Sequence, residues 1–402
     1  MTQHPRNRTV LIAGASVAGP ALAYWLHRHG FTPTVVEQAP ALRDGGYKVD
    51  LRGVAMQVVD RMGLTSAITR HSTRMRGGAW VDASGKPLAT LGPDLIGMRA
   101  PGDDEVLRGD LARVLHEATR HQVEYVFGDS ITGINQGHDG VEVTFARSAP
   151  RVFDLVVGAD GLHSGLRAQV FGAEAEFVRP LGMHACVFTV PNHLGLDHWE
   201  LLYPIPGRVV NLYSTRRAAA KAQFIFPTPA VVPDRHDIAG QQRLVAEIFE
   251  GAGWETDTLL AAMPHSPDFY FDAASQVRLD RWSAGRVALV GDAAHSPSPL
   301  SGQGTSLALV GAYVLAGELK AAGGDHRVAF ARYQEEMREY VRVNLTLGER
   351  NAKQMVAGSR RQIRLQTTMM RLVDRLPWKG MALRSIMKPL TRAANALTLR
   401  DY

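Results

Sequence analysis

The chain has 402 residues, more than one compact domain usually holds, so two domains are expected, interleaved or sequential. Hydrophobic residues make up 45% and charged residues 21%, as in ordinary soluble globular proteins. The single cysteine, Cys186, excludes an intramolecular disulfide and any multi-cysteine metal site; no metal is expected, and a reducing cytoplasm is the natural setting.

The formal charge of +6 is unevenly placed. Residues 359–395 carry nine Lys and Arg against the one acid Asp374, a surplus of +8, which leaves the remaining chain at −2. This segment could be a solvated helical brace, a membrane-surface patch or a steering field for an anionic cofactor; no nucleic-acid motif accompanies it, and no run of eighteen apolar residues suggests a membrane span. Arg6 and Arg8 precede the apolar run 9–26, which superficially resembles a secretory signal. Gly14, Gly19 and Pro20 interrupt that run, so a folded strand and helix are expected instead.

Thr9 to Ala13 reads as a buried parallel strand, followed by the turn Gly14-Ala15-Ser16-Val17-Ala18-Gly19 and a helix from Pro20 to His29. A second strand, Thr34 to Val36, ends at Glu37, 23 residues beyond Gly14 and close to the spacing of a ribose-binding acid. Strand, glycine turn, helix, strand and acid together form a nucleotide-binding context. Ser16 stands where the middle glycine of GxGxxG would be and must turn its side chain aside or bond a phosphate oxygen. An acid at position 37 favours an unphosphorylated ribose, as in FAD or NAD.

Residues 54–70 read as an amphipathic helix ended near Gly63, and 79–91 as a hairpin around Ser84-Gly85. Val106 to Leu111 opens another helix, and short strands come next at 123–127, 131–134 and 141–145. A buried strand then delivers Asp160, whose carboxylate could cap the next helix. From about 172 to 276 the pattern is mostly β, with strands at 184–190, 198–203, 208–213 and 223–226 and one helix at 241–249. Such a sheet could cover a ligand, and His184, Phe188, Tyr203, Tyr213 and Phe224 are its candidate substrate contacts, although aromatics on strands usually just pack.

The stretch RVALVGDAAHSPSPLSGQGTSLAL, residues 286–309, organises the rest. A buried strand leads to Asp292, then to a loop with Pro299, Gly302 and Gly304, then to an apolar helix from about Thr305. Asp292 can accept hydrogen bonds from ligand hydroxyls, and the helix start offers free N–H groups and a positive dipole end to a negative charge. A polyol joined to a ring that becomes anionic satisfies both: a flavin. His295 reads as a structural histidine rather than a base. Long polar helices are expected at 327–357 and 361–376, with Pro377 and Pro389 breaking the C-terminal segment beyond them.

GDAAHSPSPLSGQG resembles the second FAD motif of the single-component aromatic hydroxylases, the p-hydroxybenzoate hydroxylase-like family. Gly158-Ala159-Asp160-Gly161, with Ser164 and Arg167, resembles that family's Asp-Gly motif, and 43–53 is similar to its tetracycline-inactivating branch. The resemblance implies a Rossmann-like FAD-binding α/β domain of glutathione reductase type, a β-rich substrate domain and C-terminal helices. The expected segments are 1–71, 100–171 and 277–330 for FAD, 72–99 and 172–276 for substrate, and 331–402 as a brace between them. It implies cofactor contacts at Gly14, Ser16, Val17, Ala18, Gly19, Glu37, Gln38, Arg43, Asp50, Arg108, Asp160, Asp292, Pro299, Gly302, Gly304 and Thr305. Within that set Asp292 binds the ribityl chain, Arg43 contacts NADPH, Asp50 touches FAD, and Arg108 supports the ribityl-phosphate side.

The family pattern departs here at Gln38, where Arg is usual, at Ser306 in place of Asn, and at Gly311 in place of Asp. The implied activity is hydroxylation of an aromatic or polycyclic, polyketide-like small molecule, with NADPH or NADH as donor and dioxygen activated as a flavin C4a-hydroperoxide. No residue is assigned as a catalytic base, and the sequence leaves substrate, donor and oligomeric state open. A flavin-dependent halogenase is the alternative, disfavoured because its WxWxIP pattern is absent; a non-catalytic flavoprotein that binds a pathway intermediate is another.

Overall fold

The computed structural model describes residues 7–43, 46–216, 219–375 and 379–402. The strands at 9–13, 32–37 and 155–158 are buried on both faces through their central residues, and they lie in the middle of a six-stranded sheet. Its order is Ser283–Ala284, Val287–Leu289, Leu155–Gly158, Thr9–Ala13, Thr32–Glu37 and Glu124–Phe127. All pairs are parallel except the short antiparallel edge formed by Ser283–Ala284. The helices Ala18–Arg28 and Gly304–Ala321 pack on each other, and Trp25 meets Tyr313 edge to face at 4.9 Å. Helix Gly304–Ala321 is buried on nearly every side, as its uniformly apolar sequence requires.

The alternating segments form a seven-stranded sheet in the order Phe269–Val277, Val178–Pro191, Ala219–Pro227, Arg208–Arg216, Trp199–Ile205, Gly77–Val81 and Pro87–Leu91. The expected hairpin belongs to it, joined in parallel to Trp199–Ile205. Helix Ile238–Phe249 covers one face; the other turns toward the nucleotide-type sheet. A two-stranded ribbon, Lys48–Leu51 with Asp104–Leu107, packs on helix Gly304–Ala321 and bonds Tyr213 and Glu200 of the seven-stranded sheet.

Some expectations needed correction. Residues 54–70 form two helices, Val54–Arg61 and Thr65–His71, because Gly63 takes φ +71 between them. A helix at Thr256–Ala262 succeeds Ile238–Phe249, although the sequence pattern placed only one there. Pro389 does not break the chain but sits inside helix Lys379–Ala394. Packing holds that helix across the missing N–H: Met387, Ala393 and Ala394 are buried, and Asn344 Nδ2 donates to Ala393 O at 3.1 Å. Pro377 lies outside the described residues.

Candidate functional site

The first strand ends at Gly14, whose φ of +106 suits glycine and whose N–H donates to Val36 O at 2.7 Å. A Cβ on Gly14 would stand 2.5 Å from Ala159 O, and one on Gly19 only 1.9 Å from Gly14 O. Turn, helix and neighbouring strand are therefore in backbone contact. Val17 gives helix Ala18–Arg28 no side-chain cap, and its first turn holds no acid. The free N–H groups and positive helix end are thus left for an external anion. The structurally placed helices differ: Ser164, Asp237 and Asp325 each cap theirs with a side-chain oxygen.

Ser16 Oγ accepts from Arg108 Nη1 at 3.4 Å, which ties the glycine turn to the start of helix Arg108–Glu117. Glu37 grips the same turn, with Oε2 accepting from Ala15 N and Oε1 from Ala39 N, both at 2.9 Å. Each carboxylate oxygen keeps a lone pair for a ligand hydroxyl. Gln38 and Arg43 line a shallow concavity beside Glu37, and Arg43 is exposed.

At the other end, Gly291 (φ +64) lets the last buried strand turn into Asp292. Solvent reaches the Asp292 carboxylate although protein surrounds it, as a concave wall would arrange; crowding raises its pKa, and Arg108 opposes that rise. Ser298 holds φ +77 without being glycine, kept there because Ser301 Oγ donates to Ser298 O at 2.8 Å. Backbone strain of this kind tends to collect where function needs a fixed shape. The turn Pro299–Ser301 and Gly302 lead to helix Gly304–Ala321, again without a side-chain cap or a first-turn acid.

A Cβ on Gly302 would lie 3.7 Å from Asp50 Oδ2, and one on Gly304 3.6 Å from Asp292 Oδ1, so both glycines open onto carboxylates. Thr305 is half-buried in the first turn. Gln303 is fully buried, with neither amide atom bonded, and Asp50 Oδ1 is likewise unanswered. Buried polar atoms without partners are costly, and a polar ligand at this mouth would satisfy them. Two uncapped helix ends, partly accessible glycine backbone, an acid that solvent reaches and these orphaned groups fit FAD.

Asp160 spends its carboxylate within the fold: Oδ1 accepts from Ser164 Oγ at 2.6 Å and Oδ2 from Leu166 N at 3.0 Å. It caps the helix that positions Arg167, a fully buried side chain donating to Ala293 O and Leu162 O. Arg167 thereby links the Asp160 loop to the Asp292 turn. His295 is buried between Trp282 and Tyr333, with Nε2 3.2 Å from Tyr333 Oη, and burial holds its pKa down to about 4. That is a structural histidine.

Sheet parity decides the substrate candidates. Phe188 and Phe224 stack together under helix Ile238–Phe249, Tyr203 donates to Ala252 O, and His184 stacks on Phe226 and Phe271. These four lie on the face that helix Ile238–Phe249 covers, opposite the one that meets the Pro299–Ser301 turn. Tyr213 alone is on the near face, with Lys48 Nζ 4.4 Å over its ring. The near face meets the loop directly, where Leu300 packs against Met183, Val209, Ile225 and Ala274.

Beside that contact lies a polar group that the sequence pattern does not announce. Lys48 Nζ pairs with Glu200 at 2.6 Å and Glu105 at 3.7 Å, and Asn211 Nδ2 bonds Glu200 at 2.6 Å and Gln223 at 3.2 Å. Burial alone would lower the Lys48 pKa, but the two acids raise it instead. Arg52, equally unannounced, holds Asp50 at 2.9 Å and donates to Gly97 O, and its N–H meets Ser306 Oγ at 3.3 Å. No local motif marks these residues; they come together only across elements. Among the described residues no cluster is suited to a metal ion.

One ion-pair link between the halves gives a pH prediction. His163 Nε2 lies 3.1 Å from Asp272 and Nδ1 3.0 Å from Glu174; the Asp272 hydrogen bond leads in raising its pKa, against burial. A raised folded pKa stabilises fully below the unfolded value of about 6.5 and loses that contribution as pH climbs through the folded value. The urea midpoint of His163→Gln is expected to trail the wild type at about pH 5.5 and to draw level by about pH 9. A gap that stays constant or widens with pH contradicts this role.

Residues 7–345 match the family described as "FAD binding domain". A flavin-dependent monooxygenase of Legionella longbeachae is 41% identical over 344 residues, covering 85% of this chain and 88% of that protein. Another, from an unknown prokaryote, is 42% identical and covers 87% and 89%. An uncharacterised Mycobacterium tuberculosis protein is 49% identical over 349 residues, covering 84% and 91%. Among solved structures, tetracycline destructase Tet(55) superposes with a TM-score of 0.86 at 37% identity, covering 100% of both chains. With the family model spanning residues 7–345 and these relatives matching over most of its length, the chain belongs to the FAD-binding monooxygenase family and is an FAD-dependent monooxygenase.

Proposed function

We propose that this enzyme hydroxylates an electron-rich aromatic or polycyclic, polyketide-like small molecule, with NADPH or NADH as electron donor. Segments 1–71, 100–171 and 277–330 hold the cofactor, 72–99 and 172–276 hold the substrate, and 331–402 brace the two. When bound, FAD supplies the oxygen-activating chemistry. The chain's own groups bind and orient. Glu37 takes the ribose hydroxyls, the uncapped start of Ala18–Arg28 with Ser16 and Arg108 takes the phosphates, and Asp292 takes the polyol. The positive end of Gly304–Ala321 would favour negative charge on the flavin, and Asp50 would touch the cofactor. Arg43 is assigned to the electron donor, from an exposed position a transient partner can reach. Asp160 acts by holding its loop.

The observation that carries the substrate reading is the near face of the seven-stranded sheet. Leu300 of the flavin loop packs on it, and Tyr213, Glu200, Asn211 and Gln223 sit on the same side. Apolar wall with a few fixed polar groups suits a flat molecule bearing hydroxyls or carbonyls. The similarity to Tet(55) and Tet(51), the latter at 35% identity and a TM-score of 0.86, supports a polycyclic ligand.

The test is a panel of phenols and polycyclic aromatics, scored for faster NADPH or NADH oxidation and for label incorporated from 18O2. At least one member is expected to do both. Oxidation without labelled product across the panel would remove the hydroxylase reading, and a chloride-dependent product would replace it with halogenation.

A further inference from the structure

We propose that helix Arg360–Arg375 is a docking face for the surface of an anionic phospholipid bilayer. Ile363 and Thr367 are buried on its inner side, and Arg371 Nε donates to Leu88 O on the edge strand Pro87–Leu91, which fixes how the helix lies. On the opposite side Leu365, Met369 and Leu372 are 61%, 57% and 56% exposed. Their spacing of four and then three lines them up as one apolar stripe. Arg361 is exposed beside it and Arg364 one step further round, while Arg360 and Arg371 project from the flank nearer the buried side. The next helix, Lys379–Ala394, adds exposed Met381 and Ile386 with Arg384, Lys388 and Arg392.

Single exposed apolar residues need no explanation, but a stripe of three inside the +8 segment does. A second copy of the chain would bring like charge against like charge. A nucleic acid or acidic protein would answer the arginines and leave the Leu-Met stripe in water. An anionic membrane surface answers both, with headgroups at the guanidinium groups and the acyl boundary at the stripe. Among the described residues no helix is long and apolar enough to cross a membrane, so the helix lies in the plane of the interface.

The test is co-sedimentation of the FAD-loaded protein with vesicles of phosphatidylcholine alone or mixed with phosphatidylglycerol. Binding is expected only to the mixed vesicles and is expected to be released by high salt. Two variant sets, L365Q/M369Q/L372Q and R361Q/R364Q, are each expected to weaken partitioning about tenfold or more with flavin content unchanged. Because the two sets change different exposed positions, poor folding of one leaves the other as the test. Equal binding to neutral vesicles, no binding at all, or variants that bind as well as wild type would each overturn the proposal. So would apolar variants that abolish self-association without any vesicle binding in the parent.

Discussion

Asp292→Ala is expected to fold and to lose bound FAD. The carboxylate is reached by solvent, its crowding disfavours the charge, and a Cβ on Gly304 would lie 3.6 Å from Oδ1, so the acid faces the exposed helix mouth. An acid held against its own desolvation at such a place is retained for a partner, and removing it relieves rather than breaks the surrounding fold. Two charge-assisted hydrogen bonds to ligand hydroxyls contribute roughly 3 to 6 kcal/mol, so affinity should fall by at least about a hundredfold. Flavin absorbance of the purified variant and titration with added FAD measure it. Full occupancy and wild-type affinity in Asp292→Ala would end the assignment of this acid.

Gly19→Ala should be nearly as damaging, although it adds one methyl group to a helix. Helix propensity alone would favour alanine by about 1 kcal/mol. The new Cβ would lie 1.9 Å from Gly14 O, however, and that oxygen belongs to backbone locked between Val36 and Ala159. The helix start must move away from the turn, and the uncapped N–H groups of Ala18–Arg28 move with it. Overpacking of this kind costs about 1–3 kcal/mol, and the displaced anion site should lose FAD as well. Gly165→Ala is the control, since nothing lies nearer than 3.9 Å to its added Cβ. The urea midpoint and flavin retention of the two variants are compared; if Gly19→Ala behaves like Gly165→Ala, close backbone contact is not what position 19 provides.

The cofactor half was legible because its signals are local. Glycines at 14, 19, 302 and 304, the acids Glu37 and Asp292, and apolar runs too continuous for a half-exposed strand each constrain their own few residues. Order along the chain then carried most of the architecture. The Asp160 motif was legible as well, though its carboxylate is spent on Ser164 and the Leu166 N–H. Pro389 misleads because propensity describes an isolated helix, whereas burial of Met387, Ala393 and Ala394 holds this one together.

Turn chemistry and strand period act between near neighbours, so the nucleotide-binding α/β half, the β-rich insert and the flavin-type loop can all be read from residue order alone. Which face of the insert looks inward depends instead on packing between distant segments. A period of two sends neighbouring side chains to opposite faces, and both carry apolar residues: Phe188 and Phe224 lie on the face that helix Ile238–Phe249 covers, Val209 and Ile225 on the one that meets Leu300. The grouping of Lys48, Glu105, Glu200 and Asn211 likewise rests on ion pairs between residues as much as 152 positions apart, a separation at which sequence pattern carries no signal.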